Sequence, residues 1–216
     1  MESEIKLRLN NREQAEYIQN DDWFEDFAPH EPEVLSMRTT YLDTPDADLR
    51  KNQVMLRMRE EGDVQVVTCK IGTMKGEDGF YQHLEWNLTL DEALNERIRE
   101  EGLQDVFMDM ADGDGDDELN AALRPYRTVN LVPVVEAAFE RTAYDALFGE
   151  SLLEIVFDVG QFIVDGKPSE PICEVEIELK EGDVTDLLDF GRLFQTHFDL
   201  KPENLSKYQR ALALLP

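Results

Sequence analysis

The sequence predicts an α+β fold in which antiparallel strands close into a barrel or tunnel with helices packed on the outside. Three observations predict it. Eight or nine stretches alternate as strands do and mostly follow one another directly, which favours antiparallel pairing. The polar faces of these stretches repeatedly combine acids with bases, opposite faces that are wholly apolar. Helical segments before, between and after the strands can cover those apolar faces if they turn outward.

Taken in order, Glu2, Glu4, Lys6 and Arg8 share one face of the first strand, opposite Ile5, Leu7 and Leu9. Asn10 and Asn11 can cap a helix over Arg12–Asn20. A loop with Pro29 and Pro32 leads to a strand over Ser36–Asp43, and Pro45 marks the turn before a helical turn at Ala47–Asn52. Val54–Glu60 and Val64–Ile71 form a hairpin about Glu61-Gly62-Asp63; it places Arg57 and Arg59, then Thr68 and Lys70, on polar faces. After a loop at Gly72–Gly79, the strand Phe80–Leu90 sets Tyr81, His83, Glu85 and Asn87 opposite Leu84, Trp86 and Leu88. Asp91–Gly102 has helical spacing, and the acidic segment Asp109–Glu118 leads to a helix ending near Leu123. With no apolar core of its own, this middle stretch reads as an insertion over about 91–125 in a single domain spanning 1–216. Strands follow at Leu131–Tyr144 with Arg141, Leu152–Val159 with Asp158, and a short strand and turn at Gly160–Lys167. Ile172–Lys180 alternates Glu174, Glu176 and Glu178 with Val175, Ile177 and Leu179. Helices over Asp183–Phe198 and Asn204–Leu214, the latter carrying Lys207 and Arg210, close the chain.

A net charge of −27, from 48 acids against 21 bases, argues against general attraction to nucleic acid or an anionic membrane. It does not exclude a small anion, because clustered bases outweigh distant charge at close range. Cys69 and Cys173 are too few for a disulfide framework and suit a reducing compartment. No charged-then-apolar leader follows Met1 and no run of about 18 apolar residues occurs, so a cytoplasmic protein is expected.

Taken singly, each charged face reads as solvated, as outer sheet faces are. Taken together, with apolar faces that need cover, they read as the interior of a barrel, where charge persists only if paired or bound to ligand or metal. Carboxylates are hard ligands suited to Mg²⁺ or Mn²⁺, and Arg and Lys bind phosphate oxygens. The combination suits a compact polyphosphate bound with a divalent metal, whose water it acidifies for in-line attack. Asp112-Gly113-Asp114-Gly115-Asp116 starts like a calcium loop, but Asp117 and Leu123 stand where Gly and Glu belong, so it reads as a solvated acidic loop. His30, His83 and His197 have no zinc spacing, although His83 shares a face with Glu85 and can line the tunnel.

Glu2-x-Glu4-x-Lys6 resembles the N-terminal signature of the CYTH superfamily, the triphosphate tunnel metalloenzymes. The resemblance extends in order through Tyr41-Leu42-Asp43-Thr44-Pro45, Leu56-Arg57-Met58-Arg59, Thr68-Cys69-Lys70, Glu85, Arg141, Asp158, Glu174-Val175-Glu176-Ile177-Glu178 and Ser206-Lys207-Tyr208-Gln209-Arg210. It implies an eight-stranded antiparallel tunnel that binds triphosphate with Mg²⁺ or Mn²⁺. Members include inorganic, thiamine and RNA triphosphatases and one class of adenylate cyclase. The pattern is closest to bacterial inorganic triphosphatases, so hydrolysis of inorganic triphosphate (tripolyphosphate) is expected. A class IV-type adenylate cyclase, a thiamine or nucleoside triphosphatase, and a non-enzymatic polyphosphate or nucleotide binding module are the alternatives. On this resemblance Lys6, Arg8, Arg57, Arg59, Lys70, Arg141, Lys207 and Arg210 bind substrate, and Glu2, Glu4, Asp158, Glu174 and Glu176 hold metal or its water. Glu2, Glu4, Lys6, Glu85, Arg57 and Arg59 form the catalytic set. Asn87 departs from relatives that have a second acid there, which weakens any second-metal role on that strand.

Overall fold

A computed structural model of the chain describes residues 2–75, 79–103, 105, 121–126 and 129–215. Eight long strands pair antiparallel in the order β5-β4-β3-β2-β6-β7-β8-β1, and a further β5–β1 pairing closes the ring. They are β1 (Glu2–Arg8), β2 (Glu33–Asp43), β3 (Val54–Glu61), β4 (Val64–Lys75), β5 (Phe80–Leu90), β6 (Val132–Phe148), β7 (Ser151–Val164) and β8 (Lys167–Glu181). A two-residue strand, β9 (Lys201–Pro202), adds to β1. Closure removes exposed sheet edges and turns one face of every strand inward.

Register is encoded by charge as well as by apolar alternation. Lys6 faces Glu176, Arg8 faces Glu174, Lys70 faces Glu85 and Arg141 faces Asp158 as direct cross-strand partners. Asp158 is in turn opposite Glu174 on the next strand. A one-residue slip in any of these ladders would send an ionised side chain into the apolar exterior layer.

That exterior layer is built as the alternation requires. Ile5, Leu7, Ile155, Phe157, Val175 and Ile177 point outward and are covered by α1 (Arg12–Gln19), α2 (Asp22–Glu25) and α5 (Val184–His197), through residues such as Ile18, Phe24, Phe190 and Phe194. Asn11 accepts the Gln14 N–H to start α1, and Asp183 accepts the Thr185 N–H to start α5. A second cluster covers β3, β4 and β5 with Leu49 of α3 (Asp48–Lys51), Leu94 and Ile98 of α4 (Glu92–Glu101), and Leu123 and Tyr126. The third cluster lies on inward faces at one end of the barrel. Met37, Tyr41, Phe139 and Phe162 meet Tyr208 and Ala211 of α6 (Lys207–Leu212) there, so α6 plugs that end. Its start is fixed by a capping box in which Ser206 and Gln209 satisfy each other's backbone N–H groups.

Three details differ from the sequence expectation. Gly160 does not begin a separate short strand: β7 runs unbroken from Ser151 to Val164, with Gly160 paired opposite Phe139. The β4 strand passes Ile71 and continues to Lys75 across an irregularity, where Gly72 adopts φ +61. The short α2 was not anticipated; Asp21 caps it by accepting the Trp23 N–H. The expected acidic segment Asp109–Glu118 and its calcium-like loop lie outside the described residues.

Gly160 is needed for close approach rather than for a turn. A Cβ there would overlap the Ala138 carbonyl oxygen and the Phe139 backbone. Gly160→Ala should lower stability by about 1–3 kcal/mol, read as a reduced urea midpoint. An unchanged midpoint would show that β6 and β7 can separate without cost.

Candidate active site

The inward faces enclose a cavity of about 430 Å³. Six bases of the barrel interior and α6 line it: Lys6, Arg57, Arg59, Lys70, Arg141 and Lys207. Glu2, Glu4, Glu176 and Glu178 line it as well. The acids come from β1 and β8, whereas the arginines come from β3 and β6. The cavity therefore has an acid wall and an arginine wall.

The two walls meet in a buried network. Arg141 donates two bonds to Asp158, at 2.8 and 2.6 Å, and lies 3.2 Å from Glu176. Lys207 Nζ is 2.6 Å from Asp158 and 3.0 Å from Glu176, and also touches Glu174. Lys6 donates to Glu4 at 2.8 Å and to Glu176. Burial alone would push the Glu176 carboxyl up, but Lys207, Lys6 and Arg141 hold it well below the usual carboxylate range. Burial likewise opposes the Lys6 charge, and Glu176 and Glu4 more than restore it. Asp158 and Glu174 are fully buried behind the cavity wall, while Glu176 reaches the cavity. Asp158, Glu174 and Glu176 bring ligand atoms within 4.8 Å of one another, but four cations already surround them.

A second group sits on β1, β4 and β5. Ligand atoms of Glu2, His83 and Glu85 lie within 4.8 Å of one another, and Lys70 Nζ is 2.7 Å from Glu2, 2.6 Å from Glu85 and 2.7 Å from His83 Nε2. Burial opposes charge on His83, but its bonds to Glu2 and Glu85 raise it above the usual histidine value. Asn87 donates to Glu85 at 2.8 Å and accepts from the Thr68 hydroxyl at 2.7 Å. It therefore orients the acid that it departs from in the family pattern.

The remaining groups are less well matched. Arg57 has no ion-pair partner among the described residues, and its buried Nε makes no hydrogen bond. Arg59 donates to Thr39 at 3.2 Å and reaches Glu61 at 3.2 Å, yet burial and then Arg57 and Arg141 lower its pKa to about 10. An arginine does not give up its proton, so this reads as demand for an anion. On the acid wall, burial and then Glu2 raise Glu178 to about 7. That side demands a cation.

The chain matches the CYTH domain family profile over residues 1–212. It belongs to the CYTH family. It is 30% identical to the inorganic triphosphatase of Haemophilus influenzae, over 99% of this chain and 54% of that protein. The chain thus spans about half the length of that curated relative. Among solved structures it resembles a Hippeastrum protein described as an adenylyl cyclase with dominant triphosphatase activity, at a TM-score of 0.64 and 17% identity over 100% of this chain and 98% of that one. It also resembles a candidate adenylate cyclase of Bacillus halodurans, at a TM-score of 0.54 and 18% identity over 97% of this chain and 96% of that one. These two likenesses show the CYTH fold.

Two expected substrate-binding bases of this CYTH domain sit elsewhere. Arg8 has a side chain 60% exposed and bonds Glu203 at 2.9 Å. Arg210 is committed to Glu174 and lies 3.9 Å from Glu203. Both share the correct faces, but they lie beyond the cavity, where β9 and the following loop end the barrel. Glu203 was missed because it follows Pro202 in a loop with no periodic pattern. Tyr41, Tyr81 and Tyr208 also line the cavity and read in the sequence only as core or motif residues. Arg50, from α3, was missed as a lining base.

Glu178 generates a stability prediction for the metal-free protein. Its folded pKa is raised from the ordinary 4.5 to about 7, so its ionisation costs nothing below pH 4.5 and its full penalty above pH 7. Glu178→Gln should stabilise the metal-free protein by about 1–3 kcal/mol at pH 8 and by little at pH 4.5. Equal effects at both values, in thermal unfolding, would contradict the raised value.

Proposed function

We propose that this CYTH domain hydrolyses a small triphosphate in its tunnel, with inorganic triphosphate as the first substrate. The observation that supports this is the unpartnered Arg57, beside Arg59 and Arg141, facing an acid wall on which Glu178 resists ionisation. An anion relieves the first wall and a cation the second. A polyphosphate carried with a divalent metal is both.

On this reading Arg57, Arg59, Arg141 and Lys70 hold phosphate oxygens, with planar forks placed before the substrate arrives. Lys6 and Lys207 steady Glu176 and add positive charge near the leaving phosphates. The acid wall fits a hard divalent ion such as Mg²⁺ or Mn²⁺, with Glu2, Glu4 and Glu176 as donors and Glu178 beside them. When bound, that ion supplies charge neutralisation and an acidified water. Asp158 and Glu174, included in the ligand set on resemblance, serve instead to hold Arg141, Lys207 and Arg210 in place. Water oxygen bonds to the terminal phosphorus, the bridging P–O bond breaks, diphosphate leaves, and the water proton passes to a carboxylate of the acid wall. Glu85, oriented by Asn87 and neutralised by Lys70, fixes the ammonium that meets the substrate. The fold fits one CYTH domain with residues 91–125 inserted between β5 and β6, acting in the cytoplasm, where Cys69 and Cys173 stay as free thiols.

Phosphate release from inorganic triphosphate, ATP and thiamine triphosphate, with Mg²⁺, Mn²⁺ or neither, tests the proposal. Metal-dependent release from inorganic triphosphate is expected, falling about 100-fold or more in Glu4→Gln and Arg57→Ala. Cyclic AMP and diphosphate from ATP would assign a cyclase instead. Tight binding without turnover at any metal concentration would leave a binding module.

A further inference from the structure

The cavity does not end at the six inner bases. At its mouth, next to α6, it is also lined by Arg50 and Gln53, with Val54 and Leu212 beside them. Arg50 lies on α3, a four-residue helix framed by two non-glycine residues in the left-handed region, Ala47 at φ 62 and Gln53 at φ 58. Such conformations cost about 1 kcal/mol or more each. They set the helix across the barrel end rather than along it.

Arg50 is only loosely held. Its Nε stands 3.7 Å from Asp43 Oδ2, outside hydrogen-bond reach. Asp43 is already engaged: Oδ1 accepts the backbone N–H groups of Thr44 at 2.8 Å and Leu49 at 2.9 Å, and Oδ2 faces the Tyr208 hydroxyl at 3.4 Å. Asp43 therefore places Arg50 without consuming its donors. Neither the Arg50 guanidinium nor the Gln53 amide makes a hydrogen bond among the described residues. Tyr41 lies directly across the ladder from Arg57, and Asp43 is two residues further toward the mouth, a step of about 6–7 Å along the strand. The sequence of cations thus continues outward past the triphosphate that the inner bases accommodate.

We propose that Arg50, with Gln53, forms an outer anion subsite that takes the further phosphate of linear polyphosphates with four or more phosphate groups. The inference rests on the triphosphatase reading of the inner cavity and extends it to chain length. A net charge of −27 repels such a chain from the rest of the surface, so a base at the mouth is where the added charge can be received. The guanidinium supplies planar, two-pronged contact to phosphate oxygens, and the Gln53 amide adds a neutral donor.

Calorimetric binding of tripolyphosphate and tetrapolyphosphate in metal-free buffer, where turnover does not intervene, tests it on the wild type, Arg50→Gln and Arg57→Ala. The expected result is that tetrapolyphosphate binds the wild type more tightly than tripolyphosphate. Arg50→Gln should weaken tetrapolyphosphate about tenfold while tripolyphosphate changes less than about twofold. Arg57→Ala should weaken both. Equal binding of the two chains by the wild type, or an equal loss for both in Arg50→Gln, would overturn the outer subsite and leave the inner reading intact. Failure of the wild type to bind either chain would remove both together. Arg50→Gln weakening ATP but not tetrapolyphosphate would give the mouth to an organic substituent and overturn the proposal.

Discussion

Three buried carboxylates, Asp158, Glu174 and Glu176, are held by four cations, Lys6, Arg141, Lys207 and Arg210, and the barrel is arranged around that knot. Its members come from β1, β6, β7, β8 and α6, so it ties nearly half the ring and its plug to one point. Buried charge is tolerated only when matched, and removing one partner typically costs about 3–5 kcal/mol. The knot is thus a weak source of net stability and a strong source of specificity. A barrel assembled in any other register would leave at least one of these charges unpaired in an apolar layer.

The knot also explains why other charges in the cavity are left unmatched. Had every acid found a base inside the barrel, the interior would be a closed salt-bridge core with no capacity for a ligand. Instead compensation is concentrated deep in the wall, at Asp158 and Glu174, and runs out at the surface of the cavity. Arg57 has no partner there, Arg59 is crowded by Arg57 and Arg141, and Glu178 is crowded by Glu2. The chain is strongly acidic as a whole, yet it collects bases in the one place where an anion can be enclosed. Long-range repulsion and short-range attraction then act at different distances and do not conflict.

Much of this was legible in the sequence because strand alternation separates charged from apolar faces without reference to tertiary structure. Lys6, Arg57, Lys70, Arg141 and Glu176 were placed correctly on that ground, and the requirement that their apolar backs be covered led to the inward-charged barrel. Alternation does not say where along a strand the cavity stops. Arg8 shares a face with Lys6 but lies one step beyond, where Glu203 meets it from a loop with no pattern of its own. Gly160 read as a break because glycine commonly ends strands, whereas here it admits the close approach of Phe139. Arg50 was invisible because a four-residue helix has no periodicity to reveal its inward face.

The most direct test of the central claim, that the cavity is two complementary walls awaiting an anion and a cation, is thermal unfolding with tripolyphosphate alone, Mg²⁺ alone and both. Ligands that bind only the folded state raise the midpoint in proportion to how far they exceed their dissociation constants. The account predicts that tripolyphosphate alone raises it through the arginine wall, that Mg²⁺ alone raises it through the acid wall, and that Arg57→Ala abolishes the first shift while leaving the second. A tripolyphosphate shift that survives Arg57→Ala unchanged, or no shift with either ligand, would contradict it.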